Sequence, residues 1–302
     1  MMKHWETSVL QSLTQWQTQS LDVLAYILTF LGNELFYFLM VPLVYWCFSK
    51  AFGIRLVYVF LLSVYINSFL KAMFAVLRPV GIEGVNSLYV ASAEVGSHYP
   101  YDSFPSGHAQ GSATLWGMVA IWLKSKVFWL FAILLVTAIS ISRLYVGLHW
   151  PTDVITGVAV AAFILVVYVK TDRWVVSWPV KMKWIGAIVL PLVLMVIFPS
   201  SEGLKYGGFL LGAGIGYLLE ARHLNMKIPA SWVKRGLAFI IGLVGLFLIQ
   251  EGGKVVLGTS LGADGIRYML IGLWGLLIAP YMFVKIKLYD TDQPKKEAKQ
   301  TA

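Results

Sequence analysis

Cysteine is almost missing from this chain of 302 residues: Cys47 stands alone, so no intrachain disulfide, thiolate metal site or paired redox motif can be built. Charge is scarce as well. Only 13% of the residues are charged against 58% hydrophobic, about half the charge of a soluble domain, which excludes a water-soluble globule. What charge there is leans basic, a formal +9, yet the Lys and Arg fall in short gaps between apolar runs and make no continuous stripe. Nucleic acid is thereby excluded as the partner. The first 20 residues are polar, with Trp5, Gln11, Gln15, Gln17 and Gln19, which is not the pattern of a cleavable signal peptide. Targeting then falls to the first membrane helix.

In place of charge the chain has long apolar stretches. With ~20 residues needed per crossing, the runs at 34–49, 55–77, 108–123, 127–147, 153–170, 184–199, 206–221, 235–250 and 266–287 make nine candidate spans. Leu21 to Leu31 is apolar but short, and Gly32-Asn33 separates it from the next run, so it reads as an interfacial or re-entrant helix, a tenth span being the alternative. The expected fold is all-α: a polytopic membrane helix bundle of about nine transmembrane helices with an N-terminal interfacial helix. Expected boundaries are 1–33 for that N-terminal segment, 34–175 for a catalytic membrane domain, 176–288 for additional C-terminal transmembrane helices and 289–302 for a disordered cytoplasmic tail.

Nine spans put alternate gaps on opposite sides. The gaps at 50–55, 124–126, 170–183, 222–235 and 285–299 hold 17 of the 24 basic residues. The other side holds Lys3, Lys71, Arg78, Arg143, Lys205, Lys254 and Arg267. By the positive-inside rule the first side is cytoplasmic, which leaves the N-terminus outside and the C-terminus inside, as in a multi-pass protein of a bacterial plasma membrane.

Three polar clusters then fall on the outer side. Lys71 and Arg78, seven residues apart, are two helical turns from each other and share one face at the outer end of the second span, where Pro79 ends the helix. Snorkelling of both cations to the headgroups is the plain alternative. In Pro105-Ser106-Gly107-His108 the turn-formers precede an apolar run, so Ser106 and the Gly107 and His108 amides lie at a helix N-terminus, a position that receives anions but that a simple N-cap also explains. His149 precedes Asp153 by four residues, with Pro151 suited to a first helical turn, so His149 is expected at a solvent-facing helix mouth with its tautomer set by the carboxylate. A capping Asp beside an incidental His is the alternative, and a metal site lacks ligands. Three such coincidences on one membrane face, in chain order, are less economical than one phosphoryl-binding site.

Lys71-x6-Arg78-Pro79, Pro105-Ser106-Gly107-His108 and Ser142-Arg143-x5-His149-x3-Asp153 resemble the three signatures of the type-2 phosphatidic acid phosphatase superfamily, over roughly 55–170 and without a departure at any signature position. The nine-span layout is similar to larger membrane members such as glucose-6-phosphatase and the sphingosine-phosphate phosphatases. The resemblance implies a phosphomonoesterase or diphosphatase needing no metal and no cofactor, acting on a membrane lipid phosphate. It also implies that His149 attacks phosphorus, Asp153 orients it, and His108 protonates the leaving oxygen. Lys71, Arg78, Arg143, Ser106 and Gly107 would hold the phosphoryl oxygens. His98 matches no signature and is expected to be a surface or substrate-side residue. The same residue set serves a lipid phosphotransferase, or vanadate in a haloperoxidase, although that last class is soluble. A transporter or scramblase with a vestigial site draws on the four further spans and their Gly-rich helices. Phosphatidate, phosphatidylglycerol phosphate, an isoprenyl (di)phosphate, a sphingoid phosphate and a soluble sugar phosphate all stay open as substrates.

Overall fold

The computed structural model describes residues 4–93 and 98–291, and these are almost wholly helical. The helices are α1 His4–Thr14, α2 Gln19–Leu31, α3 Glu34–Leu43, α4 Lys50–Phe74, α5 Gly107–Leu123 and α6 Lys126–Tyr145. They continue with α7 Pro151–Ser177, α8 Val180–Ile197, α9 Ser201–His223, α10 Trp232–Leu257, α11 Leu261–Leu273 and α12 Ala279–Lys285. A π-helical turn at Val44–Phe48 extends α3, and another at Trp274–Ile278 joins α11 to α12. Serine starts many of these helices for one reason: its hydroxyl accepts an amide that the first turn leaves unpaired. Ser106, Ser125, Ser200, Ser231 and Ser260 do this for α5, α6, α9, α10 and α11.

All nine expected apolar runs are helical, but fewer than nine helices are long and apolar enough to cross a bilayer. Among the described residues six are: α4, α6, α7, α8, α10, and α11 taken through to Lys285. A seventh arises if α2 and α3 with its extension, bent by 49° at Gly32-Asn33, form one span. Helix α5 has only 17 residues, and α9 dilutes its apolar residues with glycine and charged ends. The short apolar stretch read as an interfacial or re-entrant helix is the first arm of that bent pair.

The chain folds as two compact units. The first comprises 1–40 and 55–178, so the N-terminal segment belongs to the body that carries the polar clusters; the second comprises 41–54 and 179–302. In the first unit α5 packs between α6 and α7. A buried polar ladder ties it to α4: Ser63 and Thr114 hydroxyls meet at 2.8 Å, Gln110 donates to the Ser63 carbonyl at 2.7 Å, and Asn67 donates to Gln110 at 2.9 Å. Buried polar groups must find partners, and here they find one another. In the second unit α9 and α11 approach until backbones touch, through Gly208, Gly212 and Gly272. Trp46 from the 41–54 stretch fills the space left by Gly242 and donates its indole N–H to the Gly275 carbonyl at 2.8 Å. Of the tail expected to be disordered, Tyr289 is buried and Asp290–Thr291 pair antiparallel with Met226–Lys227, while 292–302 lie outside the described residues.

Candidate active site

Helix α4 ends at Phe74, four residues before Arg78, and this corrects the two-turn spacing expected for Lys71 and Arg78. Ala75 takes a left-handed backbone (φ 46°) that breaks the helix, and Pro79 holds Arg78 out of the helical region. The Arg78 amide instead donates to the Pro100 carbonyl at 3.0 Å, which folds the segment back against the outer loop. From there the Arg78 guanidinium, almost fully buried, forms a two-pronged pair with Asp102, at 2.7 Å through Nε and 2.9 Å through Nη2. Lys71 Nζ lies 3.6 Å from the same carboxylate. Burial alone would raise the Asp102 carboxyl, but the Arg78 hydrogen bonds and the charges of Lys71 and Arg78 outweigh it and hold the group below its ordinary value.

His149 is buried, not solvent-facing as expected, and two neighbours with fixed roles surround it. Arg78 Nη1 lies 3.1 Å from Nε2, and the Ser103 carbonyl lies 2.8 Å from Nδ1. A guanidinium can only donate and a carbonyl can only accept, so the proton is on Nδ1 and Nε2 keeps its lone pair. Asp153 Oδ2 is 3.4 Å from Nδ1, behind the Ser103 carbonyl as a partner. Its closer bonds are to the Ser103 hydroxyl at 2.5 Å and the Trp150 amide at 2.8 Å. The tautomer is thus set chiefly by a backbone carbonyl, and Asp153 anchors the residue that supplies it. Burial, then the charges of Arg78, Arg143 and Lys71, hold the His149 imidazole well below its ordinary pKa, so it is uncharged at neutral pH.

The Pro105–His108 turn behaves as the sequence predicts. Helix α5 begins at Gly107 with Ser106 as its cap, and the Ser106 amide donates to the Asp153 carbonyl at 3.0 Å, which joins this cluster to the third. Gly157 on α7 makes that junction possible, since a Cβ there would stand 2.7 Å from the Ser106 carbonyl oxygen. Arg143 is buried and His108 half-buried, and each keeps a buried polar atom, Arg143 Nε and His108 Nε2, without a protein partner. Arg143 Nη1 donates to the Thr29 hydroxyl at 2.9 Å. Gly32, at the bend after α2, lets the His108 ring approach, since a Cβ there would stand 3.1 Å from His108 Cδ2. His98 is half-buried in the outer loop, where its carbonyl accepts from the Tyr101 amide at 2.7 Å.

Lys71, Arg78, Ser106, Gly107, His108, Arg143, His149 and Asp153 are therefore carried by neighbouring ends of α4, α5, α6 and α7 and the segments between them. Sequence reasoning missed Asp102, Ser103, Thr29, Asn67 and Gln110. Three cations in an apolar chain do call for a counter-charge, and Asp102 beside the Pro-Ser-Gly-His turn was readable on that ground. Nothing in the sequence ties Thr29 to Arg143. Three donors of fixed positive charge around a lone-pair nitrogen make a pocket suited to a tetrahedral oxyanion and to attack on its central atom.

Residues 52–177 match the family model described as PAP2 superfamily, and residues 204–291 match the one described as PAP2 superfamily phosphatase, transmembrane extension. Among curated proteins, the chain is 33% identical over 134 residues to the undecaprenyl-diphosphatase of Sulfolobus acidocaldarius, covering 44% of this chain and 60% of that one. It is 28% identical over 176 residues to sphingosine-1-phosphate phosphatase 1 of Mus musculus, covering 56% of this chain and 39% of that one. The matched stretches thus span about two fifths to three fifths of these relatives' own lengths. Among solved structures, Aquifex aeolicus LpxE is similar with a TM-score of 0.48 at 21% identity, covering 56% of this chain and 97% of that one.

Proposed function

We propose, for a chain whose residues 52–177 belong to the PAP2 superfamily, an integral-membrane phosphatase that hydrolyses a lipid phosphate or lipid diphosphate through a phospho-His149 intermediate. The observation that carries this is the Nε2 lone pair of His149, held 3.1 Å from the Arg78 guanidinium in a nest of cations. A phosphoryl group held by Arg78, Lys71 and Arg143, with Ser106 and the Gly107 amide, meets that nitrogen in line. The N–P bond forms as the P–O bond to the leaving group breaks, and His108, entering as an imidazolium beside the bound phosphate dianion, gives its proton to the departing oxygen. Water then attacks phosphorus and loses a proton to His108, which returns the electron pair to Nε2 and releases phosphate. Asp153 holds Ser103, and so the Nδ1 partner, in position through both steps.

A lipid substrate is supported by the surroundings of the cations. Met73, Phe74, Leu77 and Tyr101, within three residues in sequence of Lys71, Arg78 or Asp102, are all large and about half exposed, which suits a hydrocarbon chain attached to the phosphate. The two curated relatives act, by their names, on an undecaprenyl diphosphate and on sphingosine-1-phosphate, each a phosphate on a long chain. With α5 and α9 counted as crossings beside the seven candidate spans, nine in all, the charge of the gaps favours the N-terminus and the site on the extracytoplasmic side of a bacterial plasma membrane and the C-terminus in the cytoplasm. The deciding experiment is phosphate release by purified protein from phosphatidate, an isoprenyl diphosphate and a sphingoid phosphate. Turnover is expected to persist in excess EDTA and to be inhibited by vanadate, which adopts the five-coordinate geometry of the transferring group. Loss in EDTA reversed by Mg²⁺ would refute the metal-free reaction.

A further inference from the structure

Helix α1 is polar enough to look like a loose N-terminal arm, yet its one acidic residue is buried. Glu6 is 7% exposed and accepts two hydrogen bonds through Oε1, from the Thr152 amide at 3.1 Å and the Thr152 hydroxyl at 2.6 Å. A buried carboxylate is costly unless such donors meet it. Thr152 is the second residue of α7, and its amide is one of those a helix leaves unpaired at its start. The preceding Trp150 amide is taken by Asp153, Pro151 has no N–H, and the Thr152 amide goes to Glu6. Two carboxylates from opposite ends of unit 1's sequence therefore fix one helical turn, and the dipole of α7 favours both.

That turn is bounded by the proposed nucleophile at 149 and its anchoring carboxylate at 153. It also reaches the phosphate-holding arginine, because the Trp150 indole N–H donates at 2.8 Å to the carbonyl of Leu77, the residue before Arg78. The rest of α1 and the link after it are fastened beside it. Leu10 packs with Val85 and Trp150, Gln11 donates to the Glu83 carbonyl at 2.9 Å, and Gln17 donates to the Asn86 and Tyr145 carbonyls at 2.9 and 2.8 Å. We propose that Glu6 is a positioning residue for the phosphoryl transfer: by fixing the first turn of α7 it sets His149 and Asp153 against Ser103 and, through Trp150, against the Arg78 segment. This rests on the phospho-His149 reading above.

The test is steady-state kinetics and thermal unfolding of the full-length protein in detergent with phosphatidate, using Glu6→Ala, Glu6→Gln, Thr152→Ala, the Glu6→Ala/Thr152→Ala double variant, and Gln11→Ala as a control for α1 docking. A misplaced reacting group costs rate before binding, so Glu6→Ala is expected to lower kcat about tenfold with KM within about twofold. Glu6→Gln, whose amide oxygen still accepts from Thr152, should restore most of that loss. The double variant should be no slower than Glu6→Ala alone, because one interaction cannot be removed twice. Gln11→Ala should lower the melting temperature without the loss in kcat. Wild-type kcat in Glu6→Ala, or a loss matched by Gln11→Ala at equal destabilisation, would overturn the inference. His149→Ala run alongside separates the two levels: if it is inactive while Glu6→Ala is unaffected, only the positioning role fails, and if it is active the phospho-histidine reading itself fails.

Discussion

In the proposed reaction His149 takes its reactivity from partners that cannot exchange roles. Arg78 on one side can only donate and Ser103 on the other can only accept, so mutations should grade by which of these they disturb. His149→Gln is expected to cut kcat by about 10³-fold or more, since nothing replaces the nucleophilic nitrogen. Ser103→Ala keeps the carbonyl that accepts from Nδ1 and loses only the hydroxyl bound to Asp153, so a loss of about tenfold is expected, smaller than for Asp153→Asn. A Ser103→Ala loss equal to that of His149→Gln would place the hydroxyl in the chemistry itself. The depressed imidazole also has a sign that can be checked. Below about pH 6.5 an unfolded histidine binds a proton that folded His149 does not. Its contribution therefore makes folding stability fall as pH drops through and below that value. The melting temperature of wild-type protein between pH 7 and 5.5 should decline more steeply than that of His149→Gln, and equal slopes would count against a neutral buried His149.

At the scale of elements, the sequence located the apolar helices by their runs but missed α1 altogether and where one of the others stops. A run continues apolar through Leu77, so composition alone carries α4 to Arg78; the left-handed Ala75 and the pull of Pro100 on the Arg78 amide end it at Phe74. Helix α5 was readable to within one residue, because Pro105, Ser106 and Gly107 encode its start locally. The glycines of the C-terminal unit give a prediction of their own. A Cβ on Gly212 would lie 2.0 Å from the Met269 carbonyl oxygen, so Gly212→Ala must push α9 and α11 apart, at a cost of about 1–3 kcal/mol. Gly236 on α10 meets nothing within 4 Å, and Gly236→Ala should be neutral or stabilise by up to about 1 kcal/mol through helix propensity. Thermal unfolding of the two variants checks this, and equal melting temperatures would mean that the α9–α11 contact tolerates a methyl group.

For the whole molecule the open quantity is sidedness, and a labelling experiment reads it. Cys47 is buried in the second unit, so a Cys47→Ser background is the starting point. Glu83→Cys, exposed in the outer loop, is expected to react with an impermeant thiol reagent on intact cells. Ser177→Cys, exposed at the far end of α7, should react only after permeabilisation. The reverse pattern would put the site in the cytoplasm and change the leaflet from which it draws substrate, while leaving the chemistry of His149 as it stands.

The sequence by itself determined the solvent, the apolar helices and most of the candidate site residues. Apolar runs of membrane length admit no other fold class, and the three polar clusters stand out because charge in such a chain is costly enough to need a reason. Tertiary structure decided how those groups are set. Asp102 pairs with Arg78 across 24 residues, Ser103 reaches His149 across 46, Thr29 reaches Arg143 across 114 and Glu6 reaches Thr152 across 146. Local periodicity registers which face of a helix a residue occupies, whereas these partners meet only once the ends of separate helices have packed together. Even the tautomer of His149 depends on that packing, since a backbone carbonyl 46 residues away accepts the hydrogen bond from its Nδ1–H.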